Sequence, residues 1–163
     1  MKELTVERLR EVLAYDQETG VFTRRVRTAN CVKVGDVAGS LHRKGYIRIN
    51  VDGRRYFAHR LAWLYVNGEW PPAEIDHING VKDDNRIVNL RLATHIENMQ
   101  NERVSRSNNK AGYLGVFLRS CGKFSAKICI DGKNKHLGMF PTPEAAHEAY
   151  LEAKRQLHHF CTL

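Results

Sequence analysis

From Asn101 to Lys110 the chain carries one apolar side chain, Val104, among charged residues, serines and asparagines. A segment of that composition cannot repay the entropy of ordering by burying surface. It divides the 163 residues into two stretches, 1–100 and 111–163, each of which must close a core of its own. Apolar residues make up 42% of the chain, enough for two small cores. Charge is split unevenly across the same boundary. Up to residue 100 there are 16 Lys and Arg against 13 Asp and Glu; beyond it there are 10 against 5, in a chain of net charge +8. A positive excess packed into the shorter part suits a polyanionic partner, because each cation set against a phosphate releases condensed counterions. The linker 101–110 is then expected to cross solvent or the backbone of that partner.

The four cysteines, at 31, 121, 129 and 161, include no closely spaced pair, which argues against a zinc ribbon. No basic-then-apolar leader opens the sequence, and no apolar run approaches the roughly 18 residues of a membrane span. The expectation is a soluble, cytoplasmic, non-secreted protein with reduced thiols, no membrane partner and no small-molecule cofactor.

Thr5 is placed to cap a helix whose apolar face runs through Leu9, Val12 and Leu13 and ends near Tyr15, before the turn Asp16-Gln17-Glu18-Thr19-Gly20. Val21-Phe22-Thr23 predicts a short strand, and the basic, glycine-punctuated stretch 24–44 carries no assignable pattern. Tyr46 to Val51 alternates with period two, Asp52-Gly53 marks a hairpin turn, and Arg54 to Ala58 supplies the return strand. A helix follows from His59 to about Asn67, stopped by Gly68 and Pro71-Pro72. Past the linker, Gly115–Leu118, Phe124–Ile130 and His136–Phe140 predict three strands, with turns at Gly122 and Asp131-Gly132. Thr142-Pro143-Glu144 opens a helix with a cap, a first-turn proline and an early acid, and its apolar stripe includes Ala146, Ala149, Tyr150 and Ala153.

The chemistry concentrates between residues 75 and 98. Ile75 to Ile78 predicts a strand end that sets Asp76 beside His77; residues 79–89 form a long polar loop; Leu90 to Ala93 return as a second strand; Thr94 caps a helix carrying Asn98. A hairpin and helix of this kind can converge Asp76, His77 and Asn98 without a large core. Phosphodiester hydrolysis needs an activated water, stabilisation of charge on phosphorus oxygens, and help for the leaving 3′ oxygen. A neutral imidazole, with an ordinary pKa of roughly 6.5, suits the first task. A hard divalent cation on oxygen ligands suits the other two.

The run His59-Arg60-Leu61-Ala62, Asp76-His77, Asn85, Asn89-Leu90 and Glu97-Asn98 resembles the HNH (His-Me finger, ββα-metal) endonucleases, over residues 45–101 approximately. It is most similar to the phage and intron-encoded, homing-type branch, in which asparagine replaces the final histidine. The resemblance implies that His77 is the general base, that Asp76 and Asn98 are metal ligands, and that Asn89 holds the loop and orients the imidazole. Asn98 in place of a third histidine favours a hard, oxygen-coordinated ion, magnesium or manganese, over zinc.

Residues 111–160 are similar to the DNA-binding domain of plant ethylene-response (Apetala-type) transcription factors, through Tyr113-Leu114-Gly115-Val116, Gly122 to Ile128, Leu137-Gly138-Met139-Phe140 and Thr142 to Tyr150. That family lays a three-stranded sheet in the DNA major groove with a helix packed behind. The implied contact residues here are Phe117, Arg119, Lys127, Lys135 and His136. Leu114, Phe117 and Cys129 stand where plant members carry arginines, the residue that reads guanine with two hydrogen bonds, so their target preference does not transfer. Phe124, Ile128 and Phe140 are expected in the core.

The fold expectation is α+β: a ββα-metal nuclease core at about 45–100 within an N-terminal region 1–100, a linker 101–110, and a three-stranded antiparallel sheet packed on a helix at 111–163. The functional expectation is a metal-dependent endonuclease acting on double-stranded DNA. The alternative is a non-catalytic, sequence-specific DNA-binding protein or transcription regulator, which would have no use for a base beside a metal ligand.

Overall fold

The computed structural model describes residues 3–29, 31–105, 108–130, 132–158 and 160. Its architecture is α+β, with four small antiparallel sheets and four α-helices among the described residues. Two compact units divide between Thr94 and His95.

In the first unit, α1 (Val6–Val12) starts where expected: Thr5 Oγ1 accepts from the Arg8 amide at 3.3 Å. It ends earlier than its apolar repeat predicts, because Leu13 to Tyr15 leave the helix as β1 and pair with β2 (Phe22–Arg24). The strand wins because Leu13 and Tyr15 alternate into the core and the Tyr15 ring meets Phe22 at 4.7 Å. The unassigned stretch 24–44 is stitched to β2 through Arg24 N–H to the Asp36 carbonyl (2.8 Å) and Ala38 N–H to the Phe22 carbonyl (2.7 Å), then enters β3 (Ser40–Leu41). β3, β4 (Ile47–Val51) and β5 (Arg54–Phe57) form one sheet in that order. Asp52 and Gly53 turn the hairpin with φ of 49° and 81°, the left-handed pair a two-residue turn requires. α2 (Ala58–Asn67) ends on Gly68 in the left-handed region. Ile49, Leu61, Leu64, Leu9 and Phe22 anchor the core, and β6 (Glu74–His77) pairs with β7 (Leu90–Ala93) beside it.

In the second unit, α3 (His95–Gln100) follows Thr94. The sheet order is β10 (Lys133–Phe140), β9 (Phe124–Ile130), β8 (Val116–Leu118), with α4 (Pro143–Leu157) packed on it. Thr142 Oγ1 caps α4 by accepting from the Ala145 amide at 3.2 Å, with Pro143 in the first turn. Val116, Ala126, Ile128 and Ala146 are buried, with Phe124 and Phe140 packed against this cluster, as expected. Gly115, at φ 75°, lies directly under the Tyr150 ring, where a Cβ would overlap the ring carbons.

The segment 101–110 is less detached than its composition suggests. Asn101 is buried, and Lys154, 1% exposed on α4, donates Nζ to the Glu102 carbonyl at 2.5 Å. A lysine reaching back from α4 satisfies backbone that the segment's own side chains could not. Asp131 of the expected Asp131-Gly132 turn, Arg106 and Ser107 of the linker, and Cys161 lie outside the described residues. Among the described residues Cys31, Cys121 and Cys129 are exposed free thiols, and no helix is long and apolar enough to cross a membrane.

Candidate active site

β6 buries three consecutive residues, Ile75, Asp76 and His77. A strand covered on both faces would ordinarily be apolar; here an acid and an imidazole fill it, at 5% and 4% exposure. Register explains how the carboxylate is tolerated. Asp76 lies opposite Arg91 across the β6–β7 ladder, and Arg91 holds its Oδ2 through Nε at 2.9 Å and Nη2 at 2.8 Å. Both guanidinium contacts fall on one carboxylate oxygen.

The His77 ring sits in an aromatic pocket. The His59 ring meets it edge-on at 5.1 Å between centroids, and the Tyr46 ring lies at 5.9 Å. His77 Nε2 is 3.5 Å from Asn85 Oδ1. The Asn85 amide is oriented by its own donation from Nδ2 to the Asp83 carbonyl at 2.9 Å, so the oxygen faces the ring. Because a carbonyl oxygen only accepts, this contact suits the tautomer of the neutral ring that carries its proton on Nε2. Burial lowers the His77 pKa below the ordinary histidine range; the Asn85 contact and the carboxylates of Asp76, Asp84 and Asp83 pull partly back. His59 is driven further, to about 3, by burial first and by the neighbouring His77 and Arg60 next. Its Nδ1 is buried without a hydrogen-bond partner among the described residues.

The loop between the strands is locked from within. Asn89, 6% exposed, accepts from the Asn79 amide at 2.9 Å and donates to the Asp84 carbonyl at 2.8 Å. Asn79 Nδ2 reaches Asp84 Oδ2 at 2.7 Å. Arg86 grips the Asp84 carboxylate at 2.6 and 2.8 Å, which, ahead of the other contacts, holds its pKa down at about 2. Tyr15 Oη donates to the Asn85 carbonyl at 2.6 Å. Gly20 passes so close that a Cβ would stand 2.5 Å from the Arg86 nitrogen. The first hairpin of the chain therefore buttresses the loop.

Of the sequence-predicted residues, Asp76, His77 and Asn89 come together in the first unit, where Asn89 bonds to the Asn79 amide and the Asp84 carbonyl of the loop. The residue facing the imidazole is Asn85. Asn98 is half-buried on α3, in the second unit. Among the described residues no group of three or more His, Cys, Asp or Glu is arranged to hold a metal ion. Sequence reasoning gave no role to Asn85, Arg91 or Tyr46, and left that of His59 open between packing and phosphate contact. Of these Arg91 was within reach, because pairing the two predicted strands sets it opposite Asp76.

On the C-terminal sheet, register sorts the candidate DNA contacts. Phe117 pairs with Ser125 and Lys127 with His136, and residues directly opposite in an antiparallel ladder share a face. These project from the face away from α4, since their neighbours Val116, Ala126 and Ile128 are buried on the α4 side. Met139, paired with Ser125, joins them. Lys135 pairs with Ile128 and so belongs to the opposite face. Arg119 lies just beyond β8, exposed, its amide closing a turn onto the Lys123 carbonyl at 2.9 Å.

Comparison with known proteins bears on both units. Residues 56–100 match the family model described as HNH endonuclease. The chain is 41% identical over 97 residues to the ethylene-responsive transcription factor ERF117 of Arabidopsis thaliana, a match that takes in 56% of this chain and 30% of that protein's length. A structure of DNA binding and cleavage by the HNH homing endonuclease I-HmuI superposes with a TM-score of 0.46 at 22% identity, covering 91% of this chain and 82% of that one.

Proposed function

We propose that this chain is a metal-dependent DNA endonuclease in which His77 is the general base for attack of water on a phosphodiester, while the C-terminal sheet grips duplex DNA. The observation that carries this reading is the buried Asp76-His77 pair at the end of β6, fastened by Arg91 and Asn85, within the segment that matches the HNH endonuclease family. Evolved cores rarely bury such a pair without using it, and perturbed histidines cluster at functional sites.

In this mechanism Nδ1 of His77 takes a proton from water. Asn85 holds Nε2 as the donor, so the tautomer is set before substrate arrives. Burial keeps the ring neutral and ready to accept. Asn89 keeps the loop that carries Asn85 in place. Asp76, aligned by Arg91, would be a metal ligand, and the ligand role of Asn98 rests on its place in the sequence motif alone. A carboxylate and an amide oxygen are hard donors, few in number, and suit magnesium or manganese completed by waters. When bound, the ion supplies Lewis-acid stabilisation of the phosphate oxygens and of the leaving 3′ oxygen. The products are 5′-phosphate and 3′-hydroxyl ends. The homing-type, phage or mobile-element character rests on the sequence resemblance.

The test is nicking of supercoiled plasmid in magnesium, with and without EDTA, by the wild type and by His77→Ala. Cleavage should need the metal and fall at least a thousandfold in the variant, with DNA affinity within about twofold of wild type; this is the scale seen when a catalytic base is lost. Equal nicking by both proteins would defeat the assignment. The match to a plant transcription factor favours one other reading, a DNA-binding regulator without catalysis. Sequence-selective binding with no nicking in any divalent metal would establish it.

A further inference from the structure

The face of the β3–β4–β5 sheet turned away from the core carries a second feature of the first unit. Ser40 pairs with Arg48, Arg48 with Phe57, and Asn50 with Arg55, so all five side chains share that face, while Ile49 and Val51 point into the core. Between this face and the loop after β2 opens a cleft of about 360 Å³, lined by Arg24, Arg48, Arg55, Asn50, Ser40 and Asp36 among others. Three guanidinium groups thus meet one carboxylate, and Asp36 is already committed to its own loop through the Lys33 amide at 2.7 Å. Arg24 is anchored by Nη1 to the Asn50 carbonyl at 3.1 Å. The side chains of Arg48 and Arg55 make no hydrogen bond or ion pair among the described residues. Half-buried Arg48 therefore keeps its planar fork of donors aimed into the cleft without an anion to meet it.

A chain of packed rings runs from this sheet face to the candidate active site. Phe57, beside Arg48 on this face, stacks on His59 at 5.6 Å with 8° between the rings, and His59 abuts His77. We propose that this cleft binds the phosphodiester backbone of duplex DNA flanking the cleaved bond, with Arg48 and Arg55 as the phosphate contacts and Arg24 as a fixed positive wall. The proposal rests on the reading of this chain as one that binds DNA, and deepens it. The reasons are charge complementarity, the match of arginine's donor fork to phosphate oxygens, and the ring packing that leads from Phe57 on this face through His59 to His77.

The experiment titrates the full chain with a short labelled duplex across a range of salt. Arg48→Gln/Arg55→Gln should bind about tenfold more weakly near physiological salt, and the slope of log K against log salt should flatten by about 1 to 2, at roughly 0.9 per phosphate contact. Arg48→Lys/Arg55→Lys should recover most of the slope, since charge is kept. A second measurement needs no variant: duplex DNA should protect Arg48 and Arg55 of the wild type from phenylglyoxal, read by mass spectrometry. Unprotected arginines, or affinity within twofold and an unchanged slope in the glutamine variant, would overturn the proposal. So would equal protection by inorganic phosphate at the same phosphate concentration, which would make the cleft a small-anion pocket. If the wild type binds DNA with this arginine dependence but never nicks it, the nuclease reading falls and the cleft stands; if it binds no DNA, both fall.

Discussion

In the loop joining β6 to β7, Asn79, Asp84, Asn85 and Asn89 bond to one another or to the loop backbone at 2.7–2.9 Å. On the outer face of the C-terminal sheet, Phe117 and Met139 are 47% and 44% exposed, and neither Lys127 nor His136 makes a side-chain hydrogen bond among the described residues. The first region has spent its polar groups on holding itself still; the second has kept them for something else. A group that moves protons needs fixed geometry and low exposure, because reorganisation at the moment of reaction costs rate. A surface that meets a long, flexible polyanion gains from side chains that can still adjust. The two units therefore differ in where mutation should hurt: stability and turnover in the loop, affinity alone on the sheet.

After the loss expected of His77→Ala, the largest effect is at Asn89. Asn89→Ala removes both of its loop bonds and strands the Asn79 amide and the Asp84 carbonyl, costing about 2–4 kcal/mol of stability for two orphaned groups. Nicking should fall about a hundredfold or more as Asn85 and the imidazole lose alignment, with DNA affinity near wild type. Denaturant titration and plasmid nicking on the same preparations check this. Loss of binding with turnover preserved would invert the comparison.

The next effect concerns pH. His59 titrates near 3 when folded because it is buried, with His77 and Arg60 adding to the effect; unfolded it returns to about 6.5. Above 6.5 both states are neutral and the residue contributes nothing to the pH dependence. As pH falls below 6.5 the unfolded chain takes up a proton that the folded chain refuses, so stability declines toward pH 3, by about 2 kcal/mol at pH 5. His59→Phe keeps a ring against Phe57 and should flatten that decline, measured as urea midpoints at pH 7 and 5. Activity should follow a related rule. Since burial lowers the His77 pKa, the acid limb of the cleavage profile should lie below the pH at which an exposed histidine would lose its lone pair.

Most elements of both units were legible in the sequence, for local reasons. The Thr5 and Thr142 caps, the Asp52-Gly53 turn and the Gly68 stop act within a few residues, and each appears where its chemistry predicts. The early end of α1 was not legible, because Leu13 and Tyr15 satisfy a helical repeat and a strand alternation equally; the choice is made by Phe22 across the ladder. At the site, the residues given roles from the motif were Asp76, His77, Asn89 and Asn98. Asn85 went without a role and that of His59 stayed open, since only the folded loop brings an amide oxygen to Nε2 and only the packing of α2 brings a second ring to the first. The basic cleft was hidden for a related reason. Arg24, Arg48 and Arg55 lie in three different strands, and the register of two of them sets which face Arg48 and Arg55 share.

The smallest expected effect is also the one that best tests the sheet's half of the comparison. Lys127→Gln should leave stability within about 0.5 kcal/mol, as surface substitutions away from caps and cores do. It should weaken duplex binding a few-fold and flatten the salt slope by about 0.9, the signature of one phosphate contact. Lys135→Gln removes the same charge from the residue next to His136, the ladder partner of Lys127, yet its side chain belongs to the α4 face. If only the outer face meets DNA, Lys135→Gln should change the slope much less than Lys127→Gln. Equal losses would mean that the sheet's charge acts as an undirected field and that register plays no part in recognition; a loss confined to Lys127 would mean that the alternation of a single strand decides which lysines touch the phosphates.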